Sequence, residues 1–138
     1  MDLFAVMAEV ATALRTLPNM SGRVFEWDRG TVSGHSMLVT LPEEIEFDQT
    51  YGRGSDKFSD MIIMMLLPRG DVRSAYKTLG PYVRGAGTSS VKAKLDAYPF
   101  TTCDRAIVTR CTFDEVTDRA GAPYLAAWFH ADIYGNGG

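Results

Sequence analysis

The run Met61-Ile62-Ile63-Met64-Met65-Leu66-Leu67 has no polar residue, and it limits the fold more than any other stretch. Successive side chains of a strand point to opposite faces, so an unbroken apolar run needs cover on both. It is expected to be the central strand of a sheet. Upstream, Ile45 and Phe47 alternate with Glu44, Glu46 and Asp48. That period of two predicts a second strand with an inward apolar face and an acidic face turned to water or to a partner. Between them, Asp48 to Asp56 is polar, holds Gly52 and Gly54 and carries the large aromatic Tyr51. Such a stretch suits neither core nor regular strand, and is read as a protruding loop.

The rest of the chain supplies the cover. Asp2 precedes Leu3, Val6, Met7, Val10, Leu14 and Leu17, a helical spacing that ends at Pro18, Asn19 and Gly22. Short strands are expected over Arg23–Trp27 and Ser36–Leu41, the latter stopped by Pro42. After Pro68-Arg69-Gly70, Asp71 can cap a helix with Val72, Ala75, Tyr76, Leu79 and Val83 inward, which Gly80-Pro81 must kink or restart. A Gly- and Ser-containing joint, 85–90, leads to a short helix with Val91, Leu95 and Tyr98 on one face, ended by Pro99. Asp104–Val116 alternates again, with Ile107, Cys111 and Phe113 on one side and Val108, Arg110 and Thr112 on the other. A turn at 118–122 precedes a return strand, Tyr124–Tyr134, with Leu125, Ala127, Phe129, Ala131 and Ile133 inward. Gly135 onward reads as a frayed end.

This order of elements predicts one α+β domain over residues 1–138: one mixed β-sheet with helices packed mainly on one face. At 138 residues, 46% apolar and 22% charged, the chain suits a single core. Glu44, Glu46, Asp48, Tyr124, Trp128, His130 and Asp132 then point away from that core. This mixture is richer in aromatics than a solvent-facing sheet needs, so a partner surface is expected there.

The search for chemistry yields little. Neither histidine, His35 or His130, has metal-ligand spacing or a recognisable nucleophile beside it. Tyr51-Gly52-Arg53-Gly54 lacks the third glycine and the lysine of a phosphate loop. Glu44, Glu46 and Asp48 stand about 7 Å apart on one strand face, too far for one cation. Cys103 and Cys111 lie eight positions apart in one expected strand, about 26 Å at roughly 3.3 Å per residue, and are read as small buried hydrophobes. No cofactor, metal or catalytic residue is assigned. The net charge of −3 argues against a surface that tracks phosphates. Residues 1–60 hold five basic and ten acidic side chains and residues 61–138 hold nine and seven, an asymmetry that suits head-to-tail self-contact. There is no membrane-length apolar run and no signal-peptide pattern at the N-terminus, so the chain is expected to be made and kept in a cytoplasm.

A family resemblance adds what the chemistry does not. Glu46-Phe47-Asp48-Gln49-Thr50-Tyr51-Gly52-Arg53-Gly54-Ser55-Asp56-Lys57 precedes the apolar strand. Asp71-Val72-Arg73, Leu79-Gly80-Pro81-Tyr82, the 85–90 joint with Ser90-Val91-Lys92-Ala93, and a closing Tyr124-Leu125-Ala126 strand follow it. In this order the chain resembles tail terminator proteins of long-tailed bacteriophages, most like those of phages infecting high-GC Gram-positive bacteria. Ten Arg against four Lys agrees with such a genome. The sequence departs from the pattern between Asp28 and Ser36 and over Pro99–Asp104.

The resemblance implies a structural, non-enzymatic virion protein, assembled in the host cytoplasm. It implies a homohexameric ring on the head-proximal end of the tail tube, which stops tube polymerisation and offers the head connector a docking surface. Its partners would be copies of itself, the tail tube protein and head-tail connector or neck proteins, with DNA passing through unbound and no membrane involved. Gln49, Tyr51, Arg53 and Asp56 of the loop, with Arg69 and Arg73, are the expected subunit or tube contacts. Glu44, Glu46 and Asp48 are the expected acidic face. Two alternatives stand beside this reading: another neck, tail-completion or tube subunit, and a small cytoplasmic enzyme with a pocket at His130, Asp132 and Tyr134.

Overall fold

Asp2 Oδ1 accepts a hydrogen bond from the Ala5 N–H at 3.2 Å, and this cap starts α1 (Leu3–Arg15). The computed structural model describes residues 1–26, 35–47, 55–68, 70, 72–117 and 121–136. Asp48, Gln49, Tyr51, Arg53 and Arg69 therefore lie outside the described residues. After α1 come β1 (Val24–Phe25), β2 (Ser36–Val39), β3 (Glu44–Glu46) and β4 (Ser55–Pro68). Then follow α2 (Val72–Leu79), a 3₁₀ turn over Gly80–Val83, α3 (Val91–Ala97), β5 (Arg105–Thr117) and β6 (Pro123–Asn136). Pro81 sits in the first turn of that 3₁₀ segment, where its missing N–H costs nothing, so the helix restarts there. Ser90 caps α3, its Oγ accepting from the Ala93 N–H at 3.1 Å.

The six strands form one mixed sheet in the order β1-β2-β4-β6-β5, with β3 pairing with β4 beyond the end of β2. Only β1 and β2 are parallel; the other pairs are antiparallel. β4 is thus the central strand that its apolar run required, with Met61, Ile63 and Met65 fully buried. On one face these side chains meet Phe58, Leu67, Phe129, Ala131 and Ile133 from the sheet. Val6, Val10 and Leu14 of α1, Ala75 and Leu79 of α2, and Val91 and Leu95 of α3 close over them in a single cluster. The helices therefore cover one face, in keeping with an α+β sheet-and-helix layer. None of the described helices is long and apolar enough to cross a membrane.

Several expected orientations are corrected. Phe47 follows β3 but is 72% exposed, because the three-residue strand ends at Glu46 and no longer dictates its direction. Val72 and Tyr76 of α2 are exposed, and only Ala75 and Leu79 reach the core. Asp56 is not a loop residue: β6 runs far enough to pair Gly135 with it, so the strand extends back to Ser55 and Asp56 is buried. For the same reason Gly135 is not frayed. A Cβ there would displace the Met1 side chain and lie 3.3 Å from the Cα of Cys103, a close approach that glycine makes without strain. Cys103 precedes β5 rather than lying in it, and both cysteines are free. Burial pushes each thiol up to about 11.

β5 departs most from simple alternation. Ala106 and Val108 face the core, whereas Ile107 lies opposite Asp132 on the other face. A bulge between Val108 and Arg110 inserts one residue and resets the parity. Beyond it Cys111 packs on the core, and Arg110 and Thr112 stand on the other face. Phe113 shares the side of Cys111 but is 57% exposed, where it lines an open pocket with Tyr76, Leu79 and Val83.

Glu9 pins α1 to the segment before β5. Its carboxylate accepts from the Thr101 N–H (3.0 Å), the Thr102 N–H (2.9 Å) and the hydroxyls of Thr101 (2.8 Å) and Thr102 (2.6 Å). Burial raises the Glu9 pKa, but the hydrogen bonds from Thr102 and Thr101 outweigh it and hold the carboxyl below its ordinary value. A carboxyl with a depressed folded-state pKa adds stability above its unfolded pKa, and that stability is lost as pH falls through the folded value. Glu9→Gln is expected to cost about 1–3 kcal/mol at neutral pH. The gap to wild type should close below about pH 4. Urea denaturation of both proteins at pH 7 and pH 3 checks this, and equal midpoints at pH 7 would contradict it.

Candidate functional site

The sheet's second face carries no helix among the described residues, and it divides into two halves along the strands. The half nearest the start of β6 is apolar: one cross-strand row runs Phe25, Leu38, Met64, Trp128 and Thr112 from β1 to β5. Leu38, Leu66, Tyr124 and Ala126 are buried there, with Phe25, Met64, Val116 and Trp128 packed against them. Trp128 Nε1 and Ser36 Oγ are enclosed and have no hydrogen-bond partner among the described residues. The cluster is a second, thinner core on a face where solvent would have demanded polar side chains.

The other half is polar and hinges on Asp60. Between Phe58 and Met61, β4 carries two residues against the single Asp132 of β6, which makes a bulge. Asp60 occupies the left-handed region, φ 57°, a conformation Asp tolerates better than most residues. Its N–H donates to Asp132 Oδ1 at 3.1 Å, so the neighbouring strand satisfies the group that the bulge releases from the ladder. The Asp60 side chain meanwhile reaches the His130 Nδ1 at 2.6 Å and Arg110 at 3.4 Å. The His130 Nε2 is 3.0 Å from the Thr112 hydroxyl. Nδ1 faces the carboxylate and Nε2 the Thr112 hydroxyl, so both ring nitrogens are engaged. Burial raises the Asp60 pKa, but the hydrogen bond and charge of His130, with Arg110 beside it, outweigh this and hold the carboxyl below its ordinary value.

A second chain of charges completes this half. Lys57 Nζ stands 3.7 Å from both Asp132 Oδ2 and Glu46 Oε2, and Ser59 donates to Glu46 at 2.6 Å. The negative charge of Asp132 is the main reason that the Lys57 pKa is raised. Lys57 and Arg105 both lie over the Tyr134 ring, 5.6 and 4.8 Å from its centre. Cations and carboxylates are closely interleaved throughout.

The expected site residues separate accordingly. Of the proposed contact group, only Asp56 and Arg73 are described. Asp56 is buried in β4 and cannot serve as an exposed contact, while Arg73 is exposed on α2. In the acidic stripe Glu44 is exposed, but Glu46 is held by Ser59 and Lys57 and is not simply solvated. His130 and Asp132 do share a face, yet they are not partners: His130 bonds to Asp60 and Thr112, and Asp132 to Asp60 N–H and Lys57. Nothing in the sequence singles out Asp60, because a lone acid between Phe58 and Met61 carries no signal of a bulge. Among the described residues no group of three His, Cys, Asp or Glu side chains is placed to hold a metal ion. Compared with known proteins, the chain matches no protein-family model and no curated protein sequence.

Asp60 should thus be worth more than the cation that flanks it. Asp60→Asn is expected to cost about 1–3 kcal/mol, as a part-buried group bonded to His130 and Arg110. Arg110→Ala should cost under about 1 kcal/mol, because an exposed ion pair is screened. The Asp60 contribution is present at neutral pH and lost as pH falls through its depressed folded value, below about pH 4. Chemical denaturation of the two variants decides the order; an Arg110→Ala loss equal to that of Asp60→Asn would refute it.

Proposed function

We infer that this chain is a structural, non-enzymatic subunit that assembles with copies of itself into a ring at the head-proximal end of a phage tail tube. The ring ends tube growth, presents a docking surface to the head connector, and belongs to the virion. The observation that carries this reading is the second face of the sheet, where a thin apolar core and a charge-balanced polar half lie side by side without a covering helix among the described residues. Such a face suits contact with another protein surface.

Two further features support it. Exposed phenylalanines stand on different sides of the sheet, Phe47 after β3 and Phe113 in β5. Identical subunits joined head to tail need two unlike patches, and a rotation that closes then gives a ring. The order of sequence motifs from Glu46 to Ala126 also resembles that of tail terminators. A net charge of −3 suits a ring through which DNA slides without being held.

Electron microscopy of the purified chain, alone and mixed with tail tubes, tests the reading. Rings of uniform size, or tubes capped at one end and blunt in length, are expected. Long polymers of this chain alone would make it a tube subunit instead. Dispersed monomers that leave tube length unchanged would contradict assembly altogether.

A further inference from the structure

The sheet has two open edges at the same level, and they are unlike. β3 pairs with β4 alone and β5 with β6 alone among the described residues. An edge strand exposes a row of unsatisfied N–H and C=O groups that template pairing with another strand. The third edge, β1, is already blunted, because Arg15 donates to the Val24 carbonyl at 2.8 Å and pairs with Glu26. β3 carries Glu44 and Glu46, whereas the facing end of β5 carries Arg105.

These edges are joined by continuous cross-strand rows. One runs Glu46, Lys57, Tyr134, Arg105 on the second face, and the next runs Ile45, Phe58, Ile133, Ala106 on the core face. Each row begins at β3 and ends at β5. β3 runs opposite to β4, β6 opposite to β4, and β5 opposite to β6, so β3 and β5 point in opposite directions. A second copy in the same orientation, rotated about an axis along the strands, would therefore bring its β3 antiparallel to β5.

We propose that β5 of one subunit pairs antiparallel with β3 of the next, with Arg105 opposite Glu46, so that the sheet continues from copy to copy. This rests on the ring reading and names its contact. In that register Ala106 faces Ile45 and Ile107 faces Glu44, so core-face residues meet core-face residues and the alternation is kept. The small Ala106 lets Ile45 approach. Arg105, which has only the Tyr134 ring as partner among the described residues, gains a carboxylate within the 4.5–5.5 Å or so that separates directly opposed Cβ atoms. The second copy is favoured as occupant by charge: β3 presents Glu44 and Glu46, the end of β5 that would face it carries Arg105, and the halves of the chain they belong to hold ten acids against five bases and nine bases against seven acids.

The test is a cysteine trap. Glu46→Cys and Arg105→Cys are introduced singly and together, with Cys111→Ser to remove the half-exposed native thiol, and oxidised at several protein concentrations. The double variant is expected to give a ladder of disulfide-linked oligomers on a non-reducing gel, ending at a closed species. A mixture of the two single variants should give a linked dimer and nothing larger. Arg105→Glu should weaken self-association tenfold or more, and adding Glu46→Arg to the same chain should restore it. Single variants that link efficiently to themselves would overturn the proposal in favour of a two-fold contact. Absence of a ladder, where light scattering shows the wild-type chain as a closed oligomer, would overturn the edge pairing but leave the ring. A wild-type chain that stays monomeric throughout would remove both.

Discussion

Everything in this fold depends on keeping β4 out of water on both faces and along both edges. Its helix-side residues Met61, Ile63 and Met65 are fully buried, and on the far side Leu66 is buried as well. β6 pairs with it from Ser55 to Pro68 apart from the bulge, while on the other edge β2 pairs with 63–66 and β3 with 57–59. Backbone groups in such a place have no access to water, so the ladders must be nearly complete. The helices follow from this: α1, α2 and α3 form the lid that the run of methionines, isoleucines and leucines requires. Among the described residues the second face receives no such lid, and its apolar half is covered only by its own side chains.

The bulge at Asp60 is the device that makes the second face two things at once. Above it β4 presents Ile62, Met64 and Leu66, and below it Lys57 and Ser59. The extra residue lets Asp60 turn its carboxylate to His130 and its N–H to Asp132, which ties β4, β6 and β5 together through side chains where the ladder is interrupted. A second bulge in β5, beside the same stretch of β6, lies between Val108 and Arg110. With both flanking strands irregular at one height, the sheet can twist more strongly there. The polar network fills the gap in regular pairing.

Much of this is legible in the sequence, and the remainder fails for specific reasons. The apolar run Met61–Leu67 marks the central strand, and Leu125 to Ile133 at every second position marks the inward face of β6, because burial enforces period two. The apolar helical spacing after Asp2 and after the 85–90 joint marks α1 and α3. Ile107 and Val108 are assigned to the wrong faces, since the bulge after Val108 shifts parity and leaves no compositional trace. Asp56 reads as loop because its neighbours include Gly52 and Gly54, and what draws it into β4 is the length of β6, a partner some eighty positions away. Tyr76 reads as inward from helical periodicity but stays largely exposed, at the rim of an open pocket that it lines with Phe113 and Leu125. Of the candidate site, the alternation of Trp128, His130 and Asp132 places them on one face, but the true partner of His130, Asp60, comes from another strand and a conformation that periodicity cannot express.

A frame built around β4 and β6, with open strands at its margins, makes a distinct prediction about local stability. Amides protected by buried ladders exchange with solvent only when the whole domain unfolds, whereas edge amides open locally. Hydrogen exchange followed along the chain, in dilute and in concentrated solution, measures this most directly. The amides of β4 and β6 are expected to exchange at the rate of global unfolding at both concentrations. Those of β5 that point away from β6, together with 44–46, should exchange freely when dilute and become protected when concentrated. Sub-global exchange in β4, or β5 amides with the same exchange at every concentration, would contradict a central strand surrounded by edges made for other copies of the chain.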